Sequence, residues 1–384
     1  MNAVFDLLGS TLLVERLCGV AVYCLALGYF CNKVGHAGDT RTVDRHLNSY
    51  LAVLGIMAFF YIPSPNADLY RWRLLSAGWS EVPFSWVWDN LVLKRATPVG
   101  YLLIYLCQIT GVQGLLPMVC ALGFYGNVFH IFKCEARRYG VRARSLSTVL
   151  FFFMSTGVFL EVISGVRCML SFSMALRCAY DEVYREKSFF RHIPVYAAAA
   201  LLHGASIPLI GIRMVCSLME RKRGPAVMLA DLTVIAAALF LGMRYGGYYI
   251  DSAVDKAVSY VANDMYSYGW EYLIAVLSLL VMITALWNLH NVYPQVWKDN
   301  VSQIRSLIVI LLGETALFSE YSIFHRFLTA AMIAAVPVLI RYLDCERGRG
   351  RSRSERSMAA MSLVILALAC VRGNLCGYKF FVLS

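Results

Sequence analysis

The sequence predicts an all-α, polytopic integral membrane protein, and three observations carry that prediction. Of its 384 residues, 59% are hydrophobic and only 15% are charged, with mean hydropathy +0.61; soluble domains run at about 45–50% apolar and about 25% charged. Apolar runs of spanning length recur along the whole chain, and about 20 such residues carry a helix across the hydrocarbon. These runs are continuous, whereas a membrane β-barrel alternates its side chains over strands of about ten residues.

Taken in order, candidate crossings lie at 12–31, 47–63, 113–132, 146–164, 168–182, 193–219, 226–243, 270–290, 304–320, 326–343 and 358–372. The first lacks the basic leading segment and small-residue cleavage site of a signal peptide, so it reads as a span. The 193–219 segment is long for one crossing and holds Gly204, Ser206 and Pro208 at its middle. It reads as a hairpin of two helices or as one broken helix. Segment 98–110 is apolar but short, which suits a half-helix or an interfacial helix. The chain then holds about 11–13 transmembrane helices. No internal repeat and no stretch long enough for a soluble domain stand out, so residues 1–384 read as a single transmembrane domain.

Basic residues set the orientation. Lys33, Arg41 and Arg45 form one group, and Lys133, Arg137, Arg138, Arg142 and Arg144 a second. Arg185, Lys187 and Arg191, then Arg221, Lys222 and Arg223, and finally Arg347 to Arg356 complete the set. The positive-inside rule places all of them on the cytoplasmic side, which requires 193–219 to cross twice and puts the N-terminus outside. Loops 64–97 and 244–269 then face outward as a substrate-facing cap, with the turns near Arg167 and His325. The basic cytoplasmic loops explain the net charge of +11 as contact with anionic membrane lipids, with no nucleic-acid partner. Even RGRGRSRSER at 347–356, lying between two spans, reads as a stop-transfer loop rather than an RNA-binding arm.

The twelve cysteines fall largely within spans or cytoplasmic loops, and the two outer loops hold none. No disulfide framework and no C-x-x-C metal motif is visible, so neither metal nor cofactor is expected. Loop 64–97 carries Trp72, Trp79, Trp86 and Trp88 and opens with Asp68, Tyr70, Arg71 and Arg73. This is either an interfacial aromatic belt or a platform on which rings stack against sugar faces, and DLYRWRLL suits an amphipathic surface helix. Loop 244–269 is rich in tyrosine, Tyr245 among them, with Asp251 and Asp255 spaced to share a helical face. Arg244 ends a span there, either facing a phosphate or snorkelling to the interface.

Ionisable groups at membrane depth cost several kcal/mol unless paired or wetted, so they mark a site by default. Arg167 and His203 are the catalytic candidates on that ground. Ser164 and Ser171 would share a helical face with Arg167, whose planar, permanently charged fork suits phosphate and pyrophosphate. Pairing with Glu161 is the other reading of this arginine. His203 stands beside Gly204, Ala205, Ser206 and Pro208, a sequence that breaks a helix and lines a cavity; alone, it could equally bond a neighbouring helix. Glu320, His325 and Arg326 cluster at an outer span end and form either an interfacial cap or a third wall of the pocket.

Gly165-Val-Arg167, followed by an apolar helix, a basic turn and a span with His203-Gly-Ala-Ser, resembles the EpsG family of Wzy-type polysaccharide polymerases. Asp68-x-Tyr70 opening an aromatic outer loop and Arg326-Phe beginning a late span are similar too. The family usually has Arg-Gln where this chain has Arg167-Cys168. The resemblance implies a GT-C-like enzyme at the outer face of the cytoplasmic membrane, acting on undecaprenyl-pyrophosphate-linked oligosaccharide repeats, with a possible chain-length regulator protein as partner. The growing glycan moves from one lipid carrier to the non-reducing end of another lipid-linked repeat. Arg167, with Arg244 or Arg326, would stabilise the leaving pyrophosphate; His203, backed by Glu320 or Asp68, would take the acceptor proton.

Two other classes stay open. A flippase of lipid-linked sugars would also carry membrane-depth Arg and His, although its paired broken helices are not evident. An O-antigen-ligase-like transferase would share the donor and differ in the acceptor. An acyltransferase with a membrane-depth His is a more distant reading. Rhomboid-type proteolysis lacks its Gly-x-Ser-Gly, because Ile163 and Val162 precede Ser164-Gly165.

Overall fold

Hydrocarbon offers backbone groups no partner outside their own segment, so apolar sequence of this density folds as helix. The computed structural model describes residues 2–65, 67–95, 97–218, 233, 269–316, 321–345, 353–371, 375 and 378–379. Among them sixteen α-helices follow one another. The first eight are α1 (Asn2–Gly35), α2 (Thr40–Phe59), α3 (Asp68–Ser76), α4 (Phe84–Val87), α5 (Pro98–Gln108), α6 (Leu115–Tyr139), α7 (Ala143–Ser155) and α8 (Val158–Ser164). After these come α9 (Val166–Arg185), α10 (Phe189–Leu202), α11 (Ser206–Leu218), α12 (Gly269–Val292), α13 (Pro294–Asp299), α14 (Val301–Ala316), α15 (Tyr321–Cys345) and α16 (Arg353–Val371).

Among the described residues, five helices are long and apolar enough to cross a membrane: Leu17–Gly35 of α1, Leu115–Arg137 of α6, Glu271–Val292 of α12, Phe324–Cys345 of α15 and Arg353–Val371 of α16. The α7–α8 pair makes a sixth if taken as one span bent by 58°. This suits a multi-pass membrane protein. The other expected crossings fall on helices that are more polar (α2 and α9) or shorter (α10, α11 and α14). Apart from residue 233, the expected span at 226–243 lies outside the described residues, as does loop 244–269 up to residue 268.

The bend between α7 and α8 is set at Gly157, whose φ of 78° lies in the left-handed region that side chains avoid. The core sits around α6, where Phe124, Tyr125 and Phe129 pack with Tyr23, Tyr50, Phe153 and Phe159. Leu25, Trp287, Leu312 and Leu363 point outward from the bundle, an apolar surface of the kind lipid tails cover.

Helices shuttle between two ends. The starts of α6, α9 and α15 lie at one, which we call the Arg167 end. Their finishing turns lie at the other, where Arg341 of α15 meets Glu135 of α6 through two bonds of 3.0 and 3.1 Å. Tyr180 of α9 donates to the same carboxylate at 2.7 Å. Nearby, Arg142 joins Asp344 and Glu355, and Arg137 joins Asp44. The basic groups that the sequence assigns to one membrane face and that are described here thus gather at one end of the bundle.

Segment 193–219 turns back on itself. His192 at the start of α10 and Arg213 near the finish of α11 both meet Glu182 of α9, at 3.3 and 3.0 Å. Between them, Leu202 reaches α5 at the Arg167 end. The hairpin reading holds, with His203 at its tip.

Candidate active site

At the Arg167 end, four stretches far apart in sequence bring their polar groups together. The DLYRWRLLS segment folds as the helix α3, but not as the amphipathic one expected, since Leu69 is buried while Leu74 and Leu75 are exposed; from it Asp68, Trp72 and Arg73 reach Arg326, Arg167 and the Gln113 carbonyl. Pro98 starts α5 at its first turn, where a missing N–H costs nothing. That leaves Thr97 just ahead of the helix and Tyr101 one turn in. Gly165 separates α8 from α9 and puts Arg167 in the first turn of α9.

Arg167 is half-buried with its guanidinium over the Trp72 ring, 3.9 Å from the centroid, and 5.5 Å from that of Tyr101. Its Nη1 donates to Thr97 Oγ1 at 3.1 Å. A guanidinium stacked on an indole is attracted by the ring quadrupole and kept in one orientation. Gly100 allows this approach: a Cβ there would sit 2.8 Å from Arg167 Cδ and 2.7 Å from the Leu202 carbonyl. The pairing of Arg167 with Glu161 considered from sequence gives way to this aromatic cradle. Ser164 lies before the break at Gly165 and so shares no helix face with Arg167; Ser171, one turn on in α9, does, and donates back to Cys168 O at 2.8 Å.

Asp68 and Arg326 meet across α3 and α15 at 3.1 Å, and Arg71 stands 3.7 Å from the same carboxylate. Arg71 is exposed and Tyr70 half-buried. His325 is buried with Nδ1 3.9 Å from Glu161 Oε2. Arg73 turns inward and donates to the Gln113 carbonyl at 3.1 Å; burial pushes its pKa down, yet a guanidinium stays charged. Four guanidiniums (Arg71, Arg73, Arg167 and Arg326) thus stand against two carboxylates (Asp68 and Glu161) on one face. Beside them Phe84, Trp86 and Trp88 are exposed, giving an aromatic rim.

His203 adopts extended backbone geometry between α10 and α11 (φ −159°, ψ 121°), and its Nδ1 accepts from the Ala205 N–H at 3.3 Å. It follows Leu202, whose carbonyl crowds the same Gly100 position as the Arg167 stem, and its ring caps its own turn. Arg244, Tyr245 and Glu320 lie outside the described residues. Trp72 was legible only as one ring of an interfacial belt or of a sugar-stacking platform, and Thr97, Gly100 and Tyr101 had no signal beyond the short apolar run that carries them.

A small cavity of about 30 Å³ lies elsewhere, lined by Ile131, Tyr180, Arg213, Ser306 and Ile310. It has room for a water or two and none for a sugar, so it is no substrate site. Set beside known protein families, curated proteins and solved structures, the chain matches none of them.

Proposed function

We propose that this chain is a GT-C-like membrane glycosyltransferase with about 11–13 crossings, working at the outer face of the cytoplasmic membrane. It polymerises undecaprenyl-pyrophosphate-linked oligosaccharide repeats, and a chain-length regulator protein is its expected partner. The observation that carries this reading is the cationic, aromatic cluster built on Arg167, Trp72, Thr97, Tyr101, Asp68 and Arg326. Excess guanidinium charge suits a leaving pyrophosphate, and exposed rings beside it suit sugar faces.

In the reaction, an acceptor hydroxyl attacks the anomeric carbon, the bond from that carbon to the phosphate oxygen breaks, and lipid pyrophosphate leaves. Arg167, held ready by Trp72 and Thr97, stabilises the negative charge that develops on the leaving group. Arg326 joins it by exchanging Asp68 for phosphate oxygens. Asp68, released from that pair, or His203 takes the acceptor proton.

The test uses vesicles that contain the purified protein and a lipid-linked repeat unit. A ladder of longer lipid-linked glycans is expected, and its absence with active substrate present sinks the proposal. Movement of the lipid across the bilayer without elongation would instead indicate a flippase. Transfer only to a non-repeat acceptor would indicate a ligase.

A further inference from the structure

At the opposite end of the bundle, α6 and α9 bring a ring nitrogen, a thiol and a carboxylate together. His130 and Cys134 stand one turn apart on α6 and so share a face; Asp181 comes from α9. His130 Nε2 lies 3.1 Å from Asp181 Oδ1 and 3.5 Å from Cys134 Sγ, and all three donor atoms lie within 4.8 Å of one another. Asp181 is buried and the other two are half-buried. Arg185 also approaches the same ring nitrogen, at 3.4 Å. That nitrogen can donate to the carboxylate or accept from the guanidinium, but one proton cannot serve both contacts.

We propose that His130, Cys134 and Asp181 form a binding site for one divalent transition-metal ion of the zinc class, with the remaining position taken by water. Nitrogen, sulfur and carboxylate oxygen are the donors such an ion takes. Zinc bonds of about 2.0–2.3 Å in a tetrahedron set ligand atoms about 3.3–3.8 Å apart. Two of the three separations are already close to that, and a side-chain rotation closes the third. The thiol proton passes to solvent as the metal–sulfur bond forms. Thiolate and carboxylate then balance the two positive charges of the ion.

The cations around the site set its affinity. Arg185 and Lys187 hold Asp181 at 3.2 and 3.0 Å. Their side chains are 37% and 27% exposed, so both can swing to solvent when a metal takes the carboxylate. Lys133 and Arg137, next to the ligands on α6, are directed instead to Asn48 and Asp44. Arg185 and Lys187 are thus built-in competitors of the ion.

The test is a cobalt(II) titration of the full-length, chelator-stripped protein in detergent, followed by zinc displacement. Expected are saturation at one ion per chain, a thiolate-to-cobalt charge-transfer band, loss of that band in Cys134→Ser, and at least tenfold weaker binding in His130→Gln. Arg185→Gln should tighten binding several-fold by removing a competitor. No saturable band, or a band that survives Cys134→Ser, overturns the site. A second measurement needs no variant: zinc should slow alkylation of Cys134 at least tenfold while leaving the exposed Cys18 unchanged. Equal rates at Cys134 with and without zinc overturn it as well.

Discussion

Arg341 and Arg167 sit at opposite ends of the bundle and are held by different means. Arg341 is 8% exposed, makes two bonds to the fully buried Glu135, and lies 4.0 Å from the centroid of Tyr184. Its charge is closed off against an opposite charge of equal size. Arg167 is half-buried, stacks on Trp72, and bonds only a neutral hydroxyl at Thr97. Its orientation is determined while its charge is left uncompensated at short range. A buried, matched pair serves architecture and registers α6 against α15; an oriented charge without a bonded carboxylate is ready for an anion that arrives later.

That contrast can be broken from the Arg341 side first. Arg341→Leu leaves Glu135 buried and should cost about 3–5 kcal/mol, read as a lowered unfolding midpoint in detergent. The double variant Glu135→Leu/Arg341→Leu should recover much of it. If Arg341→Leu unfolds at the parent midpoint, the architectural reading of this end fails.

Arg167→Ala should do the reverse. Elongation in vesicles should fall by about 10²–10³, while stability drops by less than about 2 kcal/mol, the scale of a desolvated cation–π contact. Arg167→Lys should stay impaired, because an ammonium lacks the planar fork. A large loss of stability with activity per folded molecule preserved would make Arg167 a second structural arginine.

Gly100→Ala sharpens the same point with no change of charge. Its methyl would meet a backbone carbonyl at 2.7 Å and the Arg167 stem at 2.8 Å. Overpacking of this kind costs about 1–3 kcal/mol, and elongation should fall further than the midpoint alone explains. Asp68→Asn weakens a part-exposed pair worth about 1 kcal/mol or less. It should leave the midpoint nearly unchanged and alter elongation through Arg326.

The smallest effect belongs to Asp39, which caps α2 by accepting from the Thr42 N–H at 2.6 Å. That bond holds its carboxyl below the ordinary carboxylate range. The folded state therefore gains stability above the unfolded pKa of about 3.9 and loses it as pH falls through the lower, folded value. Asp39→Ala should lower the midpoint slightly at neutral pH, with the difference vanishing in acid. A difference that persists in acid would show that the cap does not depend on the charge.

The pieces legible from sequence were those that violate a local rule. Arg167, Arg326 and His325 stood out because charge beside apolar helix is costly; Glu161 entered only as a partner for Arg167. The break at His203 stood out because Gly204, Ser206 and Pro208 interrupt a run too long for one crossing. Crossing number was less legible: windows of apolar residues do not register that Gly157 bends one span by 58°, that the first turns of α2 are charged, or that α9 carries charge along its length.

By itself, then, the sequence determined the helical class, the membrane setting and the individual charged residues, since composition and periodicity act over a single turn or a single span. Only the tertiary structure decided who meets whom. Trp72 reaches Arg167 across 95 residues of chain, and Glu182 binds both arms of a hairpin that begins ten residues downstream at His192. His130 and Cys134 wait on Asp181 from another helix. Contacts such as these depend on helix packing and leave no periodic mark along the chain, because the energy that forms them belongs to surfaces rather than to segments.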